Sequence, residues 1–260
     1  MRLIPRRWIR RSRRNAESTM TLVEHLEELR YRLVISIVAI AIGGGIAWFL
    51  FDPVVSLLRA PYCDYWETVP ESIRTTEKCT FFFSGALEPA LIKFKLVGYM
   101  GLFFALPIAL YQLWRFVVPG LTKRERRLAI PFVASSVVLF ALGALFAYLT
   151  LPRALQFLLG FAGEGFSPLL TGDRFFSFVV LVALSFGISF EFPVVLVFLN
   201  MAGVVSTAQL RRSRRGAILF IVIFCAVITP SSDPYTMLAM SVPMVVFYEA
   251  AIIVGRSMKR

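Results

Sequence analysis

The chain alternates between long apolar runs and short charged stretches, and the runs are too long for strands. About 20 apolar residues cross the core of a bilayer as a helix. Six segments approach that length: 33–51, 96–118, 128–151, 175–199, 216–229 and 236–254. Pro107, Pro193 and Pro243 fall inside such runs, where proline kinks a membrane helix and neighbouring groups satisfy the freed carbonyls. Pro131 falls in the first turn of the third, where it is tolerated. Ahead of the first run, Leu22, Leu26, Leu29 and Leu33 share one stripe, so an amphipathic helix is expected to lead into the membrane. The pattern predicts an all-α integral membrane protein with six transmembrane helices. Its expected parts are a basic N-terminal extension (1–24), a membrane domain (25–254) and a short tail (255–260).

The fifth run is short, at about 14 residues against the usual 20 or so. A plain hairpin with the sixth run and a functional thinning of the bilayer both fit it. Thr229-Pro-Ser-Ser-Asp-Pro234 reads as the tight turn between the two.

Charge fixes the expected orientation. Residues 1–32 hold nine Lys or Arg, 119–127 hold four, 201–215 hold four and 255–260 hold three. The intervening segments 52–95, 152–174 and 230–235 hold seven. Positive residues gather on the cytoplasmic side, so both termini are expected there, in the cytoplasmic (inner) membrane, with the three other segments outside. The same bias explains the net charge of +12 without a nucleic acid. Mean hydropathy is +0.73 and 58% of residues are hydrophobic, which excludes an ordinary water-soluble domain. Seven arginines in residues 1–14 suggest a secretion signal, but the first apolar run is longer than a signal core and no small-residue cleavage site follows.

Little points to covalent chemistry. His25 is the single histidine, and the cysteines Cys63, Cys79 and Cys225 form no CxxC or Cys/His cluster. No GxxxxGK[ST] nucleotide motif occurs. No catalytic residue, metal or cofactor is expected. Cys63 and Cys79 share the long outside segment 52–95, and an oxidising compartment favours a disulfide there over two free thiols. Cys225 reads as packing.

Three carboxylates are the candidate functional groups. Glu28 lies in His25-Leu-Glu-Glu-Leu-Arg-Tyr-Arg-Leu33, four residues before Arg32. That spacing suits a self-paired helix face as well as a binding site. Glu125 sits among Lys123, Arg124, Arg126 and Arg127, a loop whose cations also serve orientation. Both acids are expected on the cytoplasmic face, where each can grip a guanidinium in a fork geometry that lysine cannot reproduce. Glu191, in Phe186-Gly-Ile-Ser-Phe-Glu-Phe-Pro193, lies inside the fourth run. An acid there is costly and either carries function or is a protonated, hydrogen-bonded structural group. A small-solute transporter with Glu191 as proton carrier is an alternative, but it predicts an internal repeat, and none is visible.

The segments HLEELRYRL (25–33), RAP (59–61), LEPALIKFKL (87–96), LPIALYQLWRFVVPGLTKRERRLAIP (106–131), FGISFEFPV (186–194) and ITPSSDP (228–234) occur in this order. By these segments the chain resembles the TatC family, the six-span core of the twin-arginine protein translocase. The resemblance implies a cupped bundle that receives twin-arginine signal peptides of folded cargo. Glu28 and Glu125 would hold the paired arginines, with Arg30 on the same motif. Glu191 would contact the single-span partners TatA and TatB, and Gln112 falls on a second polar motif position. Pro61, Pro107, Pro119 and Asp233 fall on motif positions of less definite role. The resemblance further implies export driven by the proton-motive force, without an enzyme activity, in assemblies holding other copies of the chain and surrounded by lipid. Ala90 departs from the pattern, since members often carry an aromatic there, and residues 1–20 are an arginine-rich extension that the motif does not need.

Overall fold

The structure, a computed structural model, describes residues 22–68, 79–117, 129–160, 170–230 and 233–258. The expectations for residues 1–21, Pro119 and Glu125 lie outside these. Among the described residues the elements are helices, joined by short non-helical segments: α1 Leu22–Phe49, α2 Phe51–Thr68, α3 Glu88–Val117, α4 Ala129–Gly160, α5 Gly172–Phe190, α6 Phe192–Met201, α7 Thr207–Arg212, α8 Arg214–Ile228 and α9 Pro234–Met258.

Among the described residues five stretches are long and apolar enough to cross a membrane: His25–Phe49, Glu88–Phe116, Ile130–Gly160, Gly172–Met201 and Pro234–Ser257. The fourth is α5 and α6 together, interrupted at Glu191. The fifth expected span, 216–229, is α8, which is shorter than these, with 15 residues. At 1.5 Å per residue it measures about 22 Å, against ~30 Å of hydrocarbon. Outward faces carry large apolar side chains, such as Ile42, Leu149, Val227 and Ile253. A surface of that kind is stable against lipid and not against water.

Segment 52–95, expected as a loop, contains a helix. In α2 the residues Val54, Leu58, Tyr62 and Trp66 recur every four positions and pack inward, with Tyr62 and Trp66 buried. Pro53 lies in the first helical turns, and Pro61 is buried within the helix. Cys63 on α2 is disulfide-bonded to Cys79, with Cα atoms 5.5 Å apart, which ties the helix end to the returning chain. There Phe81 stacks on Tyr62 and Phe175, at 5.0 and 4.8 Å between centroids. Phe82 accepts from the Gly172 amide and donates to the Leu170 carbonyl, both at 3.2 Å.

Two helix pairs touch backbone to backbone. On α1 a Cβ at Gly43 would lie 2.6 Å from the Gly101 oxygen, and on α3 a Cβ at Gly101 would lie 2.7 Å from the Gly44 nitrogen. Only glycine permits that approach. Likewise α4 meets α5 where a Cβ at Gly143 would lie 2.7 Å from the Phe186 oxygen. The C-terminal half packs around Phe186, Ile221, Cys225, Met240, Met244 and Tyr248, all buried.

Local chemistry sets the breaks. After α6, Gly203 takes the left-handed conformation at φ 73°. Its amide donates to the Asn200 carbonyl and the Val204 amide to Leu199, a Schellman closure. Ser206 and Gln209 form a capping box that starts α7. Asp233 caps α9 through the Thr236 amide at 2.8 Å, and Pro234 takes the first helical position.

Candidate functional site

Glu28 lies one turn from Arg32 on α1, and the two side chains are 19% and 12% exposed. The Arg32 Nε donates to Glu28 Oε1 at 3.1 Å, and its Nη2 reaches the same oxygen. Arg32 Nη1 donates across the α1–α3 seam to Gln112 Oε1 at 3.4 Å. Among the described residues Glu28 Oε2 is buried and has no hydrogen-bond partner. One turn earlier, His25 stacks on Phe116 of α3 at 4.3 Å, which closes the end of the seam. The site is therefore an acceptor oxygen with an unused lone-pair direction, held beside a cation that already occupies its neighbour. A buried acceptor left in that state costs about 1–3 kcal/mol, and an incoming donor recovers it.

Arg30 is exposed on the same helix. Gln112 is placed at this pair, through its bond to Arg32. Glu28 and Gln112 are thus brought together by the structure, while Glu125 lies outside the described residues.

Glu191 stands at the joint between α5 and α6. Its amide donates to the Ile188 carbonyl at 3.1 Å, three residues back, so the helix tightens there. Pro193 then removes one amide donor from the following turn. The side chain is partly exposed, but Oε1 is buried without a hydrogen bond. The Ser136 hydroxyl of α4 lies near this carboxylate. Ser136 in turn accepts the indole proton of Trp114 on α3, at 3.0 Å. Trp114 is fixed by stacking on Phe132 at 5.2 Å and by the edge of Phe198 at 5.0 Å. A buried hydrogen bond thus joins α3 to α4 inside the membrane-crossing stretches, with its serine near the α5–α6 joint.

Sequence reasoning gave Trp114 and Ser136 no role. A serine pair at 135–136 within an apolar run was the available signal, since a hydroxyl there has to find a partner. Several other polar groups in the bundle are matched, although the buried Trp66 indole nitrogen, like Glu28 Oε2 and Glu191 Oε1, has no hydrogen-bond partner among the described residues. Lys95 bonds Asp173 at 2.7 Å and Ser177 at 2.9 Å, Arg214 bonds Glu249 at 2.7 Å, and Asn200 bonds Thr207 at 3.1 Å. Among the described residues, no group of three His, Cys, Asp or Glu is placed to hold a metal ion.

The family model described as "Sec-independent protein translocase protein (TatC)" matches residues 24–243. The chain is similar to the Sec-independent protein translocase protein TatC of Frankia casuarinae, 46% identical over 253 residues, covering 95% of this chain and 68% of that one. The protein of the same description from Aquifex aeolicus is 41% identical over 240 residues, covering 91% and 95%. A crystal structure described as the twin arginine translocase receptor TatC superposes with a TM-score of 0.72 at 40% identity, over 91% of this chain and all of that one. The apolar spans, the order of the helices and these likenesses agree: this chain is an integral membrane protein and belongs to the TatC family of twin-arginine translocase components.

Proposed function

We propose that this chain is the signal-peptide receptor of a twin-arginine translocase in the cytoplasmic membrane, with both termini on the cytoplasmic side. The observation that carries this reading is the unpartnered Glu28 Oε2, beside a pair already shaped for a guanidinium. A signal arginine placed there finds a charge-assisted, bidentate partner, and Glu125 supplies the second carboxylate. The apolar part of the signal lies along the bundle. Glu191, partly exposed within its span and holding a buried oxygen without a donor, meets single-span partners of the TatA and TatB kind. A polar group on such a helix gains a partner that lipid cannot offer. Binding and recruitment need no bond chemistry, and the proton gradient supplies the work.

The test is titration of a labelled twin-arginine signal peptide against the purified protein in nanodiscs. Glu28→Ala and Glu125→Ala are each expected to cost on the order of tenfold or more in affinity, as for a charge-assisted pair of about 1.5–3 kcal/mol. A twin-lysine peptide is expected to bind as poorly as the variants do. Equal binding by all three would overturn the receptor reading.

A further inference from the structure

We infer that Arg32 is an internal competitor for the arginines of the ligand, and that displacing it sets how much guanidinium a signal must offer. The inference rests on the reading of Glu28 as the receptor carboxylate.

Arg32 does to Glu28 what a signal arginine would do. Two of its nitrogens already converge on Oε1, and a third is parked on Gln112. The pair is intrahelical, one turn apart and mostly buried, so its local concentration is high and water competes weakly. A ligand with one arginine therefore meets a carboxylate whose charge is largely neutralised. It gains Oε2, or it exchanges one guanidinium for another with little net change. A second arginine, acting elsewhere on the site, supplies the surplus. The apparent affinity is reduced by the fraction of Glu28 that Arg32 holds, as for any binding-competent state that is only partly populated.

Gln112 makes the exchange possible. Its amide oxygen accepts from Arg32 Nη1 in the unliganded protein. When a ligand takes Glu28, Arg32 keeps that acceptor, so one of its donors stays bonded. The same arrangement discriminates against lysine. An ammonium cannot match the fork it has to replace, so it loses the exchange with Arg32 more heavily than it would lose to water.

A different role for Arg32, that of merely orienting Glu28, predicts the opposite sign. If Arg32 only positions the carboxylate, its removal weakens the ligand. If it competes, its removal strengthens it. The experiment uses the full chain in nanodiscs and signal peptides carrying Arg-Arg, Lys-Arg or Lys-Lys at the pair. With Arg32→Gln, the Arg-Arg peptide is expected to bind on the order of threefold to tenfold tighter, and the Lys-Arg peptide to gain by a larger factor. Arg32→Lys keeps the charge and loses the fork, so it falls between the two and serves if the glutamine variant folds poorly. Unchanged or weaker binding in both variants overturns the competitor role. The Glu28→Ala protein separates the two readings. If it binds Arg-Arg as well as the unaltered protein does, Glu28 is not the receptor and the failure lies there. If it loses binding while Arg32→Gln gives no gain, the failure belongs to Arg32 alone.

Discussion

The indole nitrogen of Trp114 donates to the hydroxyl of Ser136 across the α3–α4 interface, at 3.0 Å, with both residues buried. Indole is a donor only, so it fixes the direction of the hydroxyl, whose proton is then free for the Glu191 carboxylate. We expect Ser136→Ala to weaken retention of single-span partners on purified complexes by on the order of threefold to tenfold, the range for one hydrogen bond in a membrane interior. Signal-peptide binding at the Glu28 site should not change. Threonine and valine have matched shapes, so Ser136→Thr should retain more partner than Ser136→Val. Equal retention by the two would mean that the hydroxyl plays no part.

The α1–α3 contact predicts a steric effect. A methyl at Gly101 meets backbone atoms of α1 within 3 Å, and backbone cannot step aside as a flexible side chain can. Gly101→Ala should destabilise the protein by about 1–3 kcal/mol, as overpacking does. It should also loosen the signal peptide, because Arg32 and Gln112 face each other across that seam. Thermal unfolding in detergent, read by reactivity of the buried Cys225 thiol, measures the first effect, and peptide titration the second. A variant as stable as the parent would show that the helices can separate without cost.

The disulfide closes a loop between positions 16 apart in sequence. Loop-closure entropy for that length is worth about 3 kcal/mol. Replacing Cys63 and Cys79 together by serine should therefore lower the unfolding midpoint of the aromatic cluster of Tyr62, Phe81 and Phe175. Peptide affinity at the opposite end should be unaltered. The same thiol readout applies, since serine adds no new reactive group.

Asp233 makes a helix cap that is 4% exposed. Removing the acceptor with Asp233→Ala should cost about 1–2 kcal/mol, while Asp233→Asn, which keeps an acceptor, should cost less. Parallel melts of the two variants decide it. If alanine and asparagine behave alike, the carboxylate acts in some way other than capping Thr236.

The spans were legible because hydrocarbon demands long apolar runs and leaves little freedom in their length. Their ends were less so. Span one merges with the leucine stripe before it in α1, and α4 continues to Gly160, nine residues past the expected end at Leu151. Helix α2 was hidden because four prolines and two cysteines read as loop chemistry, although the four-residue spacing of Val54, Leu58, Tyr62 and Trp66 was present throughout. The pairing of Glu28 with Arg32 followed from helical geometry alone. The third partner, Gln112, lies 80 residues from Arg32, and no local pattern could show it. The bond from Trp114 to Ser136 was equally hidden, being built between two helices. The break at Glu191 had a visible cause in Pro193, but only packing reveals that the acid itself occupies the joint.

The glycine contacts have a mechanical consequence. At the glycine crossings, Gly43 against Gly101 and Gly143 against Phe186, the backbones touch with no side chain between them. At those points there are no rotamers to exchange. Each pair should move as one stiff beam. Between the beams the contacts are aromatic, such as Phe103 against Phe140 at 5.5 Å and Trp114 against Phe132. Rings can tilt and slide where backbones cannot. A pull on the Glu28 end of the first beam would then be delivered along its full length, and the relative motion would collect at the hinge line where Trp114 and Ser136 form the polar rivet.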